Sequence, residues 1–238
     1  MTRLTVLGSC GAWPEHGRAC SGFLLEHDGF RLVLDLGYGT AARLEPAVDA
    51  VLVTHAHPDH CVDVSALGRR HHHTGEGLLP LYCPPGVLRV LEALEPRPHP
   101  TTVFDVHDLA EATTVGPFRL QARPLPHHVP SFGVRLSAPG VTVAYTGDTG
   151  PTPELAELAR DADLFIADAT LQGTPPSTGP RYLLTAGEAG AWAARANAKR
   201  VLLTHFWPGS DRAVSIAEAR AAFNGELLAA SEGLEVAF

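Results

Sequence analysis

The sequence is almost without lysine. Lys199 stands alone, and every other basic side chain is arginine, which we read as compositional bias rather than a functional signal. It has no C-x-x-C pair among Cys10, Cys20, Cys61 and Cys83. That excludes a zinc ribbon or a dithiol redox motif and leaves reduced, buried thiols as the expectation for a cytosolic protein. No apolar run approaches the roughly 20 residues that cross a bilayer, so no membrane partner is expected. Residues 1–6 run directly into a strand-like pattern without the charged and apolar parts of a secretory leader, and a cytoplasmic location follows as an expectation. Positive charge is also short: the net charge is −8. This excludes a protein whose affinity for nucleic acid rests on general phosphate neutralisation, but it leaves room for a local basic patch, and bound divalent cations would offset part of it. There is no obvious repeat and no linker-like segment.

What is present suits an ordinary core. Of 238 residues, 45% are hydrophobic and 18% charged, which predicts a single domain over residues 1–238. In the first half, residues 4–8, 23–27 and 30–35 read as strands, with Asp28-Gly29 as a hairpin turn between the last two. Residues 51–54 form a short, β-branched apolar run fit for a buried strand. Residues 81–82 read as extended and 87–94 as helical. In the second half, strands are expected at 118–122, 133–137, 141–146, 164–167, 200–204 and 234–238. Helices are expected at 153–160, with Thr152 as cap and Pro153 in the first position, at 186–198 and at 214–223. The proline-rich stretches 96–100 and 174–180 read as loops. Strands mixed with helices in both halves predict an α/β fold in which helices cover paired sheets.

Histidine is the residue in excess, at 13. In Val51-Leu52-Val53-Thr54-His55-Ala56-His57-Pro58-Asp59-His60, residues two apart on an extended chain point the same way, so His55 and His57 can share one target. Pro58 suits the first turn of a helix, from which Asp59 and His60 would project nearby. Imidazoles with a carboxylate suit zinc, and also manganese or iron. Further ligand types stand where apolar strands end: His127 or His128 just before a strand, Asp148 in Thr146-Gly147-Asp148-Thr149, and His205 in Leu203-Thr204-His205-Phe206. Arg69 and Arg70, read as following the helix that His57-Pro58-Asp59-His60 opens, are expected to contact the substrate, with His128 and Ser131 lining the same cleft. His16, His27, His99 and His107 read as ordinary loop or surface residues.

At these residues the chain resembles the metallo-β-lactamase superfamily, whose H-x-H-x-D-H signature is similar to His55–His60. The resemblance implies a four-layer αβ/βα sandwich, two mixed β-sheets face to face with helices outside. It implies two divalent ions, zinc first and manganese second. His55, His57 and His127 would hold one, Asp59, His60 and His205 the other, and Asp148 both. The segment 127–135, with Ser131 four residues after His127, together with Leu203-Thr204-His205-Phe206 and residues 81–86, resembles tRNase Z and its relatives, which act on phosphodiesters. Three departures narrow this. Ala167-Asp168-Ala169-Thr170 replaces that group's H-E-A-T segment, Leu183 stands where a histidine is usual, and residues 128–147 leave no room for a tRNA-gripping arm. The resemblance therefore implies a smaller phosphodiesterase or nuclease acting on RNA, DNA or a cyclic nucleotide, and by analogy a homodimer. The alternative is a carboxyl-ester, lactone or thioester hydrolase on the same scaffold, since fold does not fix substrate. Asp59, His205 and Asp168 are expected to carry catalysis. Asp59 would orient the attacking water or accept its proton, and Asp168 would brace a ligand histidine or cap a strand end.

Overall fold

The computed structural model describes residues 2–45, 47–75, 77–175 and 178–238; part of the loop expected at 174–180, and Met1, lie outside the described residues. The chain opens with three antiparallel strands, β1 (Thr2–Gly8), β2 (Gly22–His27) and β3 (Phe30–Leu36). Asp28-Gly29 turns between the last two with both residues at positive φ, as that dipeptide favours. Strands β4 (Ala50–Leu52), β5 (Leu79–Cys83) and β6 (Phe104–Asp108) then add in parallel. The crossovers carry a four-residue helix α1 (Pro58–Cys61), then α2 (Val64–Thr74) and α3 (Pro85–Leu94).

The second half repeats the plan. Strands β7 (Thr114–Val115), β8 (Phe118–Leu125), β9 (Ser131–Ala138) and β10 (Val141–Tyr145) are antiparallel, and β11 (Leu164–Asp168), β12 (Arg200–Thr204) and β13 (Glu226–Ala229) continue in parallel. Helices α4 (Glu154–Leu158), α5 (Ala186–Arg195) and α6 (Arg212–Arg220) lie between them, and the last strand, β14 (Glu235–Ala237), returns to pair with β1. The result is two seven-stranded sheets, ordered β14-β1-β2-β3-β4-β5-β6 and β13-β12-β11-β10-β9-β8-β7.

Leu4, Phe23, Leu25, Leu32, Leu34 and Leu52 of the first sheet pack with Phe118, Leu120, Leu136, Val143 and Tyr145 of the second. The opposite face of the first sheet, through Val33, Val51 and Leu81, meets Val64 and Leu67 of α2 and Val87 and Leu91 of α3. Alternating residues of one strand thus serve two different cores. Helices outside two facing sheets make the four-layer αβ/βα sandwich.

Local chemistry adjusts several expected boundaries. Helix α5 begins on a capping box between Thr185 and Glu188, and the helical run stops short of residue 198, where Asn197 takes a left-handed conformation. Pro153 is the N-cap of α4 rather than its first residue, and the helix ends at Leu158. Strand β4 ends at Leu52, not Thr54, because the Thr54 amide leaves the sheet for the Asp35 carboxylate. Strands β6, β7 and β13 lie outside the runs that the sequence pattern predicts as strands. Arg69 to His73 lie inside α2 rather than after a helix.

Candidate metal centre

The site forms where the parallel strands of both sheets end. After β4, Thr54 gives both its amide and its hydroxyl to Asp35, at 2.7 and 2.9 Å. This fixes the extended exit on which His55 and His57 follow. Pro58 stands at the first position of α1, and Asp59 and His60 project from that turn. His127 comes from the β8–β9 loop. Asp148 follows β10, its carbonyl receiving the Ser131 hydroxyl at 3.1 Å. His205 follows β12 at φ +59°, and Ala12 and Asp35 are also non-glycine residues at positive φ, +59° and +54°.

Seven side chains converge in two sets. His57 Nδ1 lies 3.2 Å from His55 Nε2 and 3.0 Å from His127 Nε2, and Asp148 Oδ2 is 3.8 and 3.7 Å from those same Nε2 atoms. In the second set, Asp148 Oδ1 is 3.1 Å from His60 Nε2 and 3.2 Å from His205 Nε2, and Asp59 Oδ2 is 3.2 Å from His205 Nε2. Within each set the candidate donor atoms lie within 4.8 Å of one another.

Neighbours fix which ring nitrogen faces inward. His60 Nδ1 donates to Asp35 Oδ2 at 2.7 Å, and His127 Nδ1 to the Tyr182 carbonyl at 2.9 Å. The Thr54 hydroxyl proton is committed to Asp35, so its oxygen accepts from His55 Nδ1 at 3.0 Å. The Thr170 hydroxyl donates to Asp168 Oδ1 at 2.5 Å and accepts from His205 Nδ1 at 2.7 Å. Four rings therefore turn Nε2 toward the centre, the arrangement that orients metal-binding histidines. Buried His60 Nε2 and Asp148 Oδ1 have no hydrogen-bond partner among the described residues. Such orphans are costly unless another group satisfies them. With imidazole and carboxylate donors, these residues fit two divalent cations, one on His55, His57, His127 and Asp148, the other on Asp59, His60, Asp148 and His205.

The electrostatics of the two sets differ. Burial lowers the pKa of His55, His57 and His127. Burial also works against protonation of His60 and His205, but the charge of Asp148 leads the opposing effects, with Asp35 and Asp59 on His60 and Asp59 on His205, and both end above the ordinary range. Against the burial that would raise them, Asp59 is lowered by His60 and His205, and Asp148 is lowered well below its usual range by His205 and His60. Burial raises Asp168 to about 6.

The expected residues are placed unevenly. Asp168 caps the strand end, accepting from the amides of Thr149, Thr170 and Leu184, and reaches His205 through Thr170. Ser131 is buried behind Asp148 instead of lining a cleft. His128 is exposed beside the Tyr182 ring, 4.2 Å between centroids. Arg69 is engaged with Glu95 and Arg70 with the Leu44 carbonyl, neither with the cluster.

Asp35, Tyr145, Thr170 and the Ala12 amide escaped the sequence reading. Asp35, fully buried, also accepts the Tyr145 hydroxyl at 2.7 Å, and the Ala12 amide donates to Asp59 Oδ2 at 2.7 Å. One signal was available: a carboxylate inside Leu32-Val33-Leu34-Asp35-Leu36 must find partners if that run is buried.

Comparison with known proteins agrees with this geometry. A family model described as a beta-lactamase superfamily domain matches residues 35–206. The protein Rv1339 of Mycobacterium tuberculosis is 37% identical over 240 residues, covering 94% of this chain and 87% of that one. Ribonuclease Z of Kineococcus radiotolerans is 30% identical over 278 residues, covering 92% and 88%. The probable metallo-hydrolase YhfI of Bacillus subtilis is 28% identical over 97% of this chain and 98% of its own. Its crystal structure, described as a metallo-beta-lactamase fold protein, superimposes with a TM-score of 0.89 over all of both chains at 27% identity. The chain belongs to the beta-lactamase superfamily and has the metallo-β-lactamase fold.

Proposed function

We propose that this protein is a phosphodiesterase that uses two divalent cations, zinc first and manganese second, and acts as a nuclease or on cyclic nucleotides. The observation that carries the reading is that Asp148 belongs to both donor sets, so two cations would sit side by side, as in sites that displace groups at phosphorus. The likeness to a Ribonuclease Z over most of the chain supports it. When bound, such a pair supplies Lewis acidity and makes water more acidic. The protein contributes position. Asp59, pinned by the Ala12 amide and held below the usual carboxylate range, is a poor base and a good acceptor, suited to orienting a water molecule. Asp35, Thr54, Thr170 and the Tyr182 carbonyl hold the rings. Four free, buried cysteines support a reducing compartment such as the cytoplasm. No helix among the described residues is long and apolar enough to cross a membrane.

One observation favours a carboxyl-ester, lactone or thioester substrate instead. A cleft of about 630 Å³, lined by Ala56, Pro84, Arg89, Val90, Leu94 and Pro130, includes the residue between His55 and His57 in the chain and is apolar enough to take an acyl chain. The two readings separate in one panel: bis-p-nitrophenyl phosphate, an acyl-homoserine lactone and a thioester, offered to the metal-loaded protein. Hydrolysis of the phosphodiester, abolished in Asp148→Ala together with metal content, is expected. Full phosphodiesterase activity in Asp148→Ala, or hydrolysis of the lactone or thioester alone, would overturn the proposal.

A further inference from the structure

Two of the three tryptophans of the chain are half exposed: Trp13 at 49% and Trp207 at 44%. Their rings meet edge to face, centroids 5.0 Å apart and planes at 77°. The third, Trp192, lies under the Arg195 guanidinium. Each exposed ring stands next to a site residue in sequence. Trp13 follows Ala12, whose amide holds Asp59, and Trp207 comes two residues after His205.

The loops that carry the pair are tied to each other and to the centre. The Gly11 amide donates to the Phe206 carbonyl at 2.9 Å and the Phe206 amide to the Ser9 carbonyl at 3.0 Å. The Gly209 amide donates to Glu15 Oε1 at 2.8 Å. Gly11 passes so close to His205 that a Cβ there would lie 2.7 Å from its ring. The two indoles are therefore fixed relative to Asp59 and His205, and the order that a ligand would otherwise impose is already in place.

Large aromatic surface is normally buried, and an exposed aromatic pair rimmed by polar groups marks a place of contact. Perpendicular indoles form a corner in which a flat ring can lie on one face with its edge against the other. An interface between two copies fits less well. Each indole offers at most about 250 Å², and half of it is covered here, whereas a stable interface takes roughly 800 Å² from each partner.

We propose that Trp13 and Trp207 form a stacking corner for a nucleobase next to the scissile phosphodiester, so that the substrate class is nucleotide esters rather than alkyl phosphodiesters. This rests on the phosphodiesterase reading above and adds the place where the base would be held. Every base has a π-face, so the corner would tolerate different bases.

The test uses the intrinsic fluorescence of the metal-loaded protein, titrated with adenosine 5′-monophosphate and separately with ribose 5-phosphate, which has the phosphate and no base. Saturable quenching by the nucleotide alone is expected. Trp192→Phe should keep it and W13A with W207A should abolish it. In parallel, kcat/KM is measured for thymidine 5′-p-nitrophenyl phosphate and for methyl p-nitrophenyl phosphate. The ratio of the two should fall about tenfold in W13A or W207A, the size of one base–aromatic stack, and recover in W13F and W207F. Equal quenching by both ligands, or an unchanged ratio in W13A and W207A, overturns the corner even if both esters are cleaved. Selective quenching without cleavage of either ester overturns the phosphodiesterase reading and leaves a nucleotide site. A dimer that sedimentation shows breaking apart in W13A, with the ratio unchanged, makes the pair an interface between copies and overturns the proposal.

Discussion

The two donor sets share Asp148 but are built on opposite electrostatic plans. His55, His57 and His127 form a group of imidazoles whose pKa values burial lowers, and Asp148 is the one carboxylate that belongs to their set. His57 and His127 come from two loops and are partly open. The other set adds a second carboxylate, Asp59, and all four of its members are buried. Behind it stands a third, Asp35, on His60, and behind His205 a fourth, Asp168, acting through Thr170. The first set is ready for a cation at neutral pH. The second lies among carboxylates that raise the proton affinity of its histidines, so a cation there competes with protons. Similar donors thus give one accessible and neutral position and one buried and charged position, because the surrounding carboxylates differ.

The comparison can be broken most sharply at Asp35. In Asp35→Ala, His60, Thr54 and Tyr145 lose a buried acceptor together. Removing one partner of such a pair costs about 3–5 kcal/mol, roughly 10 °C in a chain of this size. Thermal unfolding of the metal-free protein measures this. Metal content should fall at the buried position while the three-histidine position stays filled, and equal loss from both would end the distinction.

The next effect is linked to protons. In the metal-free protein the surrounding carboxylates, Asp148 first, hold His60 and His205 above the ordinary histidine range despite burial, so protons compete with a cation for these rings. Filling their set must release those protons. Its affinity should therefore fall as pH is lowered, by up to about tenfold per pH unit for each proton released. His55, His57 and His127, already neutral, should bind with little release near neutrality. Titration calorimetry in buffers of different ionisation enthalpy reads the two events separately, and identical proton counts would contradict the contrast.

Thr170→Val is smaller. It keeps the shape but removes the oxygen that accepts from His205 Nδ1, and loss of such a second partner costs about 10–100-fold in metal affinity. Competition with a chelator should show it at the buried position alone. Arg69→Ala should be smallest. Its pair with Glu95 is exposed, so stability should change by less than about 1 kcal/mol, with KM unaltered. A raised KM would return Arg69 to the cleft.

These expectations also show what could be read from the sequence. The cluster from His55 to His60 was readable because its geometry is local: a period of two along an extended exit, then Pro58 opening a turn. Asp148 and His205 were readable because apolar strands point at them. Asp35, Tyr145 and Thr170 were not, because their roles depend on register between distant strands. Parallel pairing of Leu34 with Leu52 is what carries Asp35 to Thr54 and His60, and the parallel match of Asp168 with Thr204 is what sets Thr170 beside His205. The misplacement of Arg69 and Arg70 has a similar origin. Basic residues near a signature look like substrate contacts until Glu95, just past the end of α3, is seen to hold one of them. Strand β13 was missed because its Leu227 and Leu228 are only partly buried and show no alternation.

Ala12, Asp35 and His205 share a left-handed backbone that side-chain-bearing residues resist, at a cost on the order of 1–3 kcal/mol each. All three aim a group at the centre: an amide at Asp59, a carboxylate at His60 and an imidazole at the shared carboxylate. Three of the seven non-glycine residues at positive φ among the described residues thus serve the seat of reactivity. Selection for thermal endurance alone would favour glycine at position 12 and lose the rigidity that orients Asp59. This is a local form of the general opposition between robustness and activity.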